Sequence, residues 1–316
     1  MVIRKFKFVM LVTIILIGCV AQKEGGRGYR YANGGNYFGT NPSFFPDGTK
    51  IVFGSIRYGV GDIFTINIDG SELNRLTDMP AYEGEPKVSP NSKSIVFISE
   101  RSSADYGKIF IMNTDGSNQR QLTFGNGYDY GPSFSHDGTK IVFCRQMADK
   151  STEIFIMNVD GTRQIKLTND QRLKDKPNFL RGDKKIRYTV FNLKTQESEI
   201  YEMNVDGTEA VLVLRIPKYA YDEAWSYDEE NVVYISSHIT NYEIDPNTRT
   251  EVMIMHSNGQ NIRQLTNTRT YKSHPSFSPD AKRIAFLSEE KDGRGKGQIM
   301  IMNTDGSDLK TITNNY

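Results

Sequence analysis

Disulfide frameworks, long hydrophobic spans and an excess of either charge are all missing from this chain of 316 residues. Cysteine occurs twice, at Cys19 and Cys144. Cys144 follows Ile141-Val142-Phe143 in a strand-like run, so the expectation is a buried, unreactive thiol and no intramolecular disulfide. The longest apolar run, Phe8 to Ile17, holds ten residues, about half of the ~20 a helix needs to cross a bilayer core. Lysine and arginine total 39 against 38 aspartate and glutamate, so no basic surplus invites nucleic acid and no acidic tail is present. No Gly-x-Ser-x-Gly, His-Glu-x-x-His or Gly-x-x-x-x-Gly-Lys stretch occurs, which removes the common hydrolase elbow, zinc-protease helix and phosphate loop. No cofactor is expected, and the weight falls on a non-enzyme.

The first residues carry a targeting pattern. Arg4, Lys5 and Lys7 precede the apolar run, and Leu16-Ile17-Gly18-Cys19 closes it in the form of a bacterial lipoprotein cleavage box. Residues 1–18 are therefore expected to be a signal peptide, with Cys19 lipidated. Residues 19–36, rich in Gly, Lys, Arg and Asn, form a tether with a random-coil reach of roughly 20–25 Å. An ordinary secretory leader with an incidental cysteine is the plainer alternative. Without the leader, 36 basic residues face 38 acidic ones. The body would sit in the bacterial cell envelope, at the outer membrane facing the periplasm or the cell surface, held by lipid alone.

From about Tyr37 to Tyr316 one pattern recurs six times. With its Pro position as origin, the copies stand at 42, 86, 132, 177, 223 and 275, in steps of 44, 46, 45, 46 and 52. Each opens on a stretch such as Pro132-Ser133-Phe134-Ser135, where proline suits a strand start that needs no ladder donor. A Pro-Asp-Gly-type turn follows. Apolar runs come next, such as Ile141-Val142-Phe143 and Ile154 to Asn158, continuous enough for strands covered on both faces. Asp-Gly or Asn-Gly turns (Asp69-Gly70 through Asp305-Gly306) and a closing Leu-Thr such as Leu122-Thr123 complete the unit. Four strands per copy at this period predict an all-β, six-bladed β-propeller with four antiparallel strands per blade. Blade six is expected to close the ring by packing on blade one, although Tyr29 to Tyr37 could add a strand.

The Ser-Pro-Asp-Gly-x-x-Ile-x-Phe, Ile-x-x-Met-Asn-x-Asp-Gly and Leu-Thr elements together resemble the TolB-type propeller repeat, which is also found in tricorn-type and dipeptidyl-peptidase propellers. The resemblance covers all six copies. It implies an envelope propeller whose channel face contacts protein or peptide. Two departures weigh against a role in the Tol system itself: the α/β domain that precedes the propeller in TolB is expected to be missing here, and the chain looks lipidated.

Candidate binding residues come from the loops that enter each inner strand. Four residues before the Pro position stand Phe38, Tyr82, Tyr128, Leu173, Tyr219 and Tyr271; between them lie Glu83, Glu85, Asp129, Asp175, Asp222 and Glu223, opposed by Lys174, Lys176, Lys272 and His274. Flat apolar faces beside directional charges suit a peptide or sugar. Packing between blades is the favoured explanation of the tyrosines, and a solvated rim explains the charges as well as a ligand does. His274 alone among the four histidines is placed for channel chemistry. The Asp-Gly turns fail as calcium loops: with Gly116 at position six, Ile111 and Leu122 fall where carboxylates are required. The insertion Ser236–Arg249 in blade five is a possible partner contact or tolerated drift. The reading is a monomeric, non-catalytic propeller holding a protein or peptide in the envelope. The alternatives are a carbohydrate-binding or carbohydrate-processing protein, and a hydrolase or lyase using the channel.

Overall fold

A computed structural model describes residues 40–55, 58, 60–102, 107–195, 197–237, 250–268, 270–289 and 297–313. The leader, Cys19, the tether, Phe38, residues 238–249 of the blade-five insertion and residues 290–296 lie outside the described residues. All regular structure described is strand, in six sheets of four. Blade one is β1 (Thr40–Phe44), β2 (Lys50–Ser55), β3 (Asp62–Asn67) and β4 (Asn74–Arg75). Blade two is β5 (Glu83–Val88), β6 (Ser94–Ser99), β7 (Lys108–Asn113) and β8 (Arg120–Gln121). Blade three is β9 (Asp129–Phe134), β10 (Lys140–Gln146), β11 (Thr152–Asn158) and β12 (Ile165–Lys166). Blade four is β13 (Leu173–Phe179), β14 (Lys185–Asn192), β15 (Glu197–Asn204) and β16 (Val211–Arg215). Blade five is β17 (Ala220–Trp225), β18 (Asn231–Ser237), β19 (Thr250–His256) and β20 (Arg263–Gln264). Blade six is β21 (Tyr271–Phe277), β22 (Arg283–Glu289), β23 (Gln298–Asn303) and β24 (Lys310–Thr311). Each sheet keeps chain order, so every blade is an antiparallel meander and no described strand is shared between blades.

The apolar clusters lie at the blade junctions, which explains why the middle strands read as unbroken hydrophobic runs. One cluster joins blades one and six, through Ile51, Phe53 and Phe64 with Ala285, Leu287 and Ile299. Others join blades one and two, blades two to four, blades four and five, and blades five and six. The second-strand aromatics Phe53, Phe97, Phe143, Tyr188, Tyr234 and Phe286 are at most 2% exposed. Each contributes about 2 kcal/mol by leaving water. Cys144 is fully buried in the same layer, and burial pushes its thiol well above the ordinary range.

The Asp-Gly and Leu-Thr elements prove to be two halves of one contact. In each blade except the fourth, the threonine hydroxyl oxygen accepts the amide that opens the third strand's apolar run, as Thr123 does from Ile109 N at 3.0 Å and Thr313 from Ile299 N at 3.0 Å. The turn glycine of the following blade, in the left-handed region, lies flat against the residue before that threonine. A Cβ on Gly116 (φ 87°) would stand 2.6 Å from the Leu76 carbonyl oxygen. Gly70 meets Ile312 of blade six in the same way. The ring thus closes by the contact that joins its other blades, with Arg283 Nη2 also donating to Gly48 O at 3.2 Å.

Buried charges form a second junction layer. The residue just before the apolar run of the third strand faces the inner strand of the next blade: Lys108–Asp129 at 3.7 Å, Glu153–Lys174 at 3.1 Å and Glu251–Lys272 at 3.2 Å. The blade one–two junction breaks the rule, with Asp62 and Glu83 at the corresponding positions, both fully buried. Arg75 donates to Asp62 Oδ2 at 2.9 Å, and Arg101 Nε and Ser99 Oγ donate to Glu83 Oε1, each at 2.9 Å. Asp62 Oδ1 and Glu83 Oε2 are left without partners. Burial raises the Asp62 pKa; Arg75 opposes this, while Glu83 and Asp78 add to it.

Two outcomes are expected. Gly116→Ala combines a left-handed backbone with a backbone clash and should cost about 2 kcal/mol or more of stability, read from a chemical-denaturation midpoint. Because Asp62 is raised above its unfolded value, its native form binds the extra proton, so its contribution to stability falls as pH rises through the folded pKa. Asp62→Asn should therefore raise the melting temperature at pH 7 and gain less at pH 4. A variant that melts lower than the parent at pH 7 would contradict this account.

Candidate functional site

The inner strands β1, β5, β9, β13, β17 and β21 share one irregularity. In each, the ladder to the second strand slips by a residue next to the Pro position. The residue before that position is left-handed in all six: Asn41 (φ 49°), Glu85 (51°), Gly131 (61°), Lys176 (51°), Asp222 (54°) and His274 (51°). This is a β-bulge, which re-aims a side chain. Five of the six carry a side chain, at a cost of roughly 1–2 kcal/mol each. Carboxylates hold several in place across blades. Gly131 N donates to Glu85 Oε2 at 2.7 Å and His274 N donates to Asp222 Oδ2 at 3.1 Å, while Lys176 N donates to its neighbour Asp175 Oδ1 at 2.7 Å.

These six residues form the first tier around an axial cavity of about 350 Å³, within the size range of small-ligand sites. A second tier follows one position beyond the proline: Ser43, Lys87, Ser133, Asn178, Ala224 and Ser276. The cavity then reaches the first hairpin turns, at Pro46, Pro90, His136, Tyr227 and Pro279.

Of the residues singled out from sequence, the cavity gathers Glu85, Asp175, Lys176, Asp222, Glu223 and His274. It leaves out Tyr82, Glu83, Tyr128, Asp129, Tyr219, Tyr271 and Lys272, which sit toward the other end of the inner strands. Tyr82 lies against Gly61 and Gly84, where any Cβ would strike its ring. Tyr128 tilts on Tyr130 at 6.1 Å, Tyr271 accepts a hydrogen bond from Tyr221 at 3.2 Å, and the Lys218 ammonium stands 5.1 Å from the Tyr219 ring centre. Glu83, Asp129 and Lys272 belong to the buried junction pairs, with Asp129 taking Arg145 Nε at 2.5 Å and Nη2 at 2.9 Å. Sequence reasoning missed Asn41, Lys87, Asn178, Arg187 and Trp225. A polar residue before the Pro position in five of the six copies was the available signal.

Charge in the cavity is unevenly paired. Lys176 Nζ reaches Asp222 at 3.2 Å and Glu223 at 3.6 Å, and His274 Nδ1 lies 4.0 Å from Asp222. Thr189 donates to Glu223. Burial works against charge on Lys176, yet Glu223, Asp222 and Asp175 lift its pKa above the ordinary value. Burial also opposes ionisation of Asp222, but His274, Lys176 and their hydrogen bonds bring it down to about 2. His274 itself is lowered by burial, with Asp222 opposing and Lys176 and Lys87 adding. Asp175 is pushed up to about 7 by burial, with Lys176 opposing and Glu85 and Glu223 adding. The side chains of Lys176 and His274 remain 31% and 26% exposed to the cavity, so water tempers these fields. Trp225 offers no free stacking face on the Arg187 side, because that guanidinium lies 3.6 Å from its ring centre. Among the described residues no group of three or more His, Cys, Asp or Glu is gathered for a metal ion.

Six blades around a polar, bulge-lined axis define a six-bladed propeller with an axial cavity. The sequence model of the TolB β-propeller domain matches residues 31–152, so that stretch of the chain is similar to the TolB propeller repeat. The fold is similar to TolB of Acinetobacter baumannii, with a TM-score of 0.64 and 19% identity over 85% of this chain and 61% of that one. It is also similar to an oligogalacturonate lyase of Vibrio parahaemolyticus, with a TM-score of 0.54 and 13% identity over 84% and 89%. At these identities the likeness is one of fold. A segment of 73 residues is 33% identical to dipeptidyl-peptidase 5 of Porphyromonas gingivalis, covering 23% of this chain and 11% of that protein. The chain thus spans a small part of that curated relative and less than two thirds of the Acinetobacter TolB.

With Asp175 titrating near 7, carboxyl carbon NMR should show one aspartate changing protonation near neutrality, and Asp175→Asn should remove that signal. A spectrum in which every aspartate titrates below about pH 5 would contradict the crowding of Asp175.

Proposed function

We propose that this chain is a non-catalytic binding propeller that holds a protein or peptide partner in its axial cavity. The observation that carries the reading is the two-tier polar ring on strained bulges. Backbone strain of this kind persists where the surroundings over-determine it, commonly at binding sites. A bacterial envelope location, with lipid on Cys19 as the only membrane attachment, is supported by Leu16-Ile17-Gly18-Cys19 and by the likeness to TolB.

The carbohydrate alternative draws less support. Its stacking platforms, Tyr82, Tyr128, Tyr219 and Tyr271, do not line the cavity, and Arg187 covers a face of Trp225. The enzymatic alternative rests on the fold likeness to an oligogalacturonate lyase. On that reading the chain would cleave oligogalacturonate and His274→Ala would abolish turnover. On the binding reading no turnover is found.

A photoreactive residue placed at Ser43 or Ser133, small second-tier positions, should capture a discrete protein adduct in cells. Adducts at neither site, from folded protein, would reject the channel as the partner surface.

A further inference from the structure

The second tier is small and neutral at five of its six positions, Ser43, Ser133, Asn178, Ala224 and Ser276; the sixth is Lys87. The register makes them equivalent, since each pairs with the same second-strand position: Ser43 with Val52, Lys87 with Val96, Ser133 with Val142. The repeat therefore keeps this level small and neutral, and Lys87 is the one charged residue on it.

Its ammonium makes no ion pair within 4.0 Å and no hydrogen bond among the described residues, unlike the junction lysines or Lys176. The nearest attraction is Glu85, one of whose oxygens is taken by Gly131 N. Lys176 repels it, and burial lowers its pKa. Lys176 is already committed to Asp222 and Glu223. A half-buried cation lining a cavity, with no carboxylate within 4.0 Å, is stabilised once a ligand brings an anion.

Building on the proposed binding role, we propose that Lys87 receives the one carboxylate side chain of a peptide segment that enters the channel. One acid side chain matches one free cation. A polyuronate would bring successive carboxylates against Glu85, Asp175, Asp222 and Glu223, where like charges repel.

The test uses the intact chain and two neutral-ended probes, acetyl-Gly-Gly-Asp-Gly-Gly-amide and its Asn counterpart, with affinities from titration calorimetry at pH 7. The Asp probe should bind at least about tenfold tighter than the Asn probe. Lys87→Met should erase that preference and Lys87→Arg should keep it. Lys87→Met removes an unpaired cation, so it should melt no lower than the parent, which separates lost recognition from lost fold. Equal affinity of the two probes, no measurable binding of the Asp probe, or a preference that survives in Lys87→Met each overturns the assignment. Lys87-dependent binding of digalacturonate tighter than the Asp probe would also overturn it, in favour of a sugar acid. Failure here alongside intact channel crosslinking would leave the partner reading standing. Absence of crosslinks would remove that reading itself.

Discussion

The axis of this propeller depends on one left-handed residue in each inner strand. In a regular strand, residues four apart lie on the same face. Glu83 and Lys87 do not, because the slip between Gly84 and Lys87 inserts one residue and reverses the alternation. Glu83 turns into the junction with blade one and is fully buried, while Lys87 enters the channel. Asp129 and Ser133, Lys174 and Asn178, and Lys272 and Ser276 are divided in the same way. Six identical slips thus separate a dry layer of structural charge from a wet layer of accessible polar groups.

That separation changes the meaning of neighbouring charges. Glu83 and Glu85 are two residues apart and chemically alike. Glu83 is clamped by Arg101 and Ser99 inside the junction, where breaking a pair costs roughly 3–5 kcal/mol because the remaining charge stays buried. Glu85 faces the cavity and supports the backbone of the next blade through Gly131 N. Charge reversal would therefore report on folding at one site and on the channel at the other. A loss of partner capture at Glu83 would carry no information about contact.

The blade was legible because its signals are local and repeated. Pro-Asp-Gly turns, apolar runs and Asp-Gly turns each depend on a few neighbouring residues, and the contact between Gly116 and Leu76 only reuses two of them across a junction. Of the candidate residues read from sequence, six line the cavity and seven do not. Glu85, Asp175, Lys176, Asp222, Glu223 and His274 were found because they vary where the repeat is otherwise constant. The tyrosines were misplaced from the cavity because sequence locates a residue along a strand, whereas the cavity runs from the bulge to the opposite, first-hairpin end. A bulge depends on ladder register, which no single copy reveals. Lys87 escaped because a lone lysine on a strand ordinarily signals solvent.

TolB and an oligogalacturonate lyase share this fold with the chain at similar TM-scores and low identity. The architecture therefore supplies an axis and leaves its chemistry to the residues that line it. In this chain those residues are mostly spoken for. Asp222 is shared by Lys176 and His274, Glu223 by Lys176 and Thr189, and Trp225 is covered on one side by Arg187. These contacts fix the polar side chains of the wall against one another. For the proposed binding role this matters because a wall already ordered by its own contacts leaves less ordering to be done when a ligand enters.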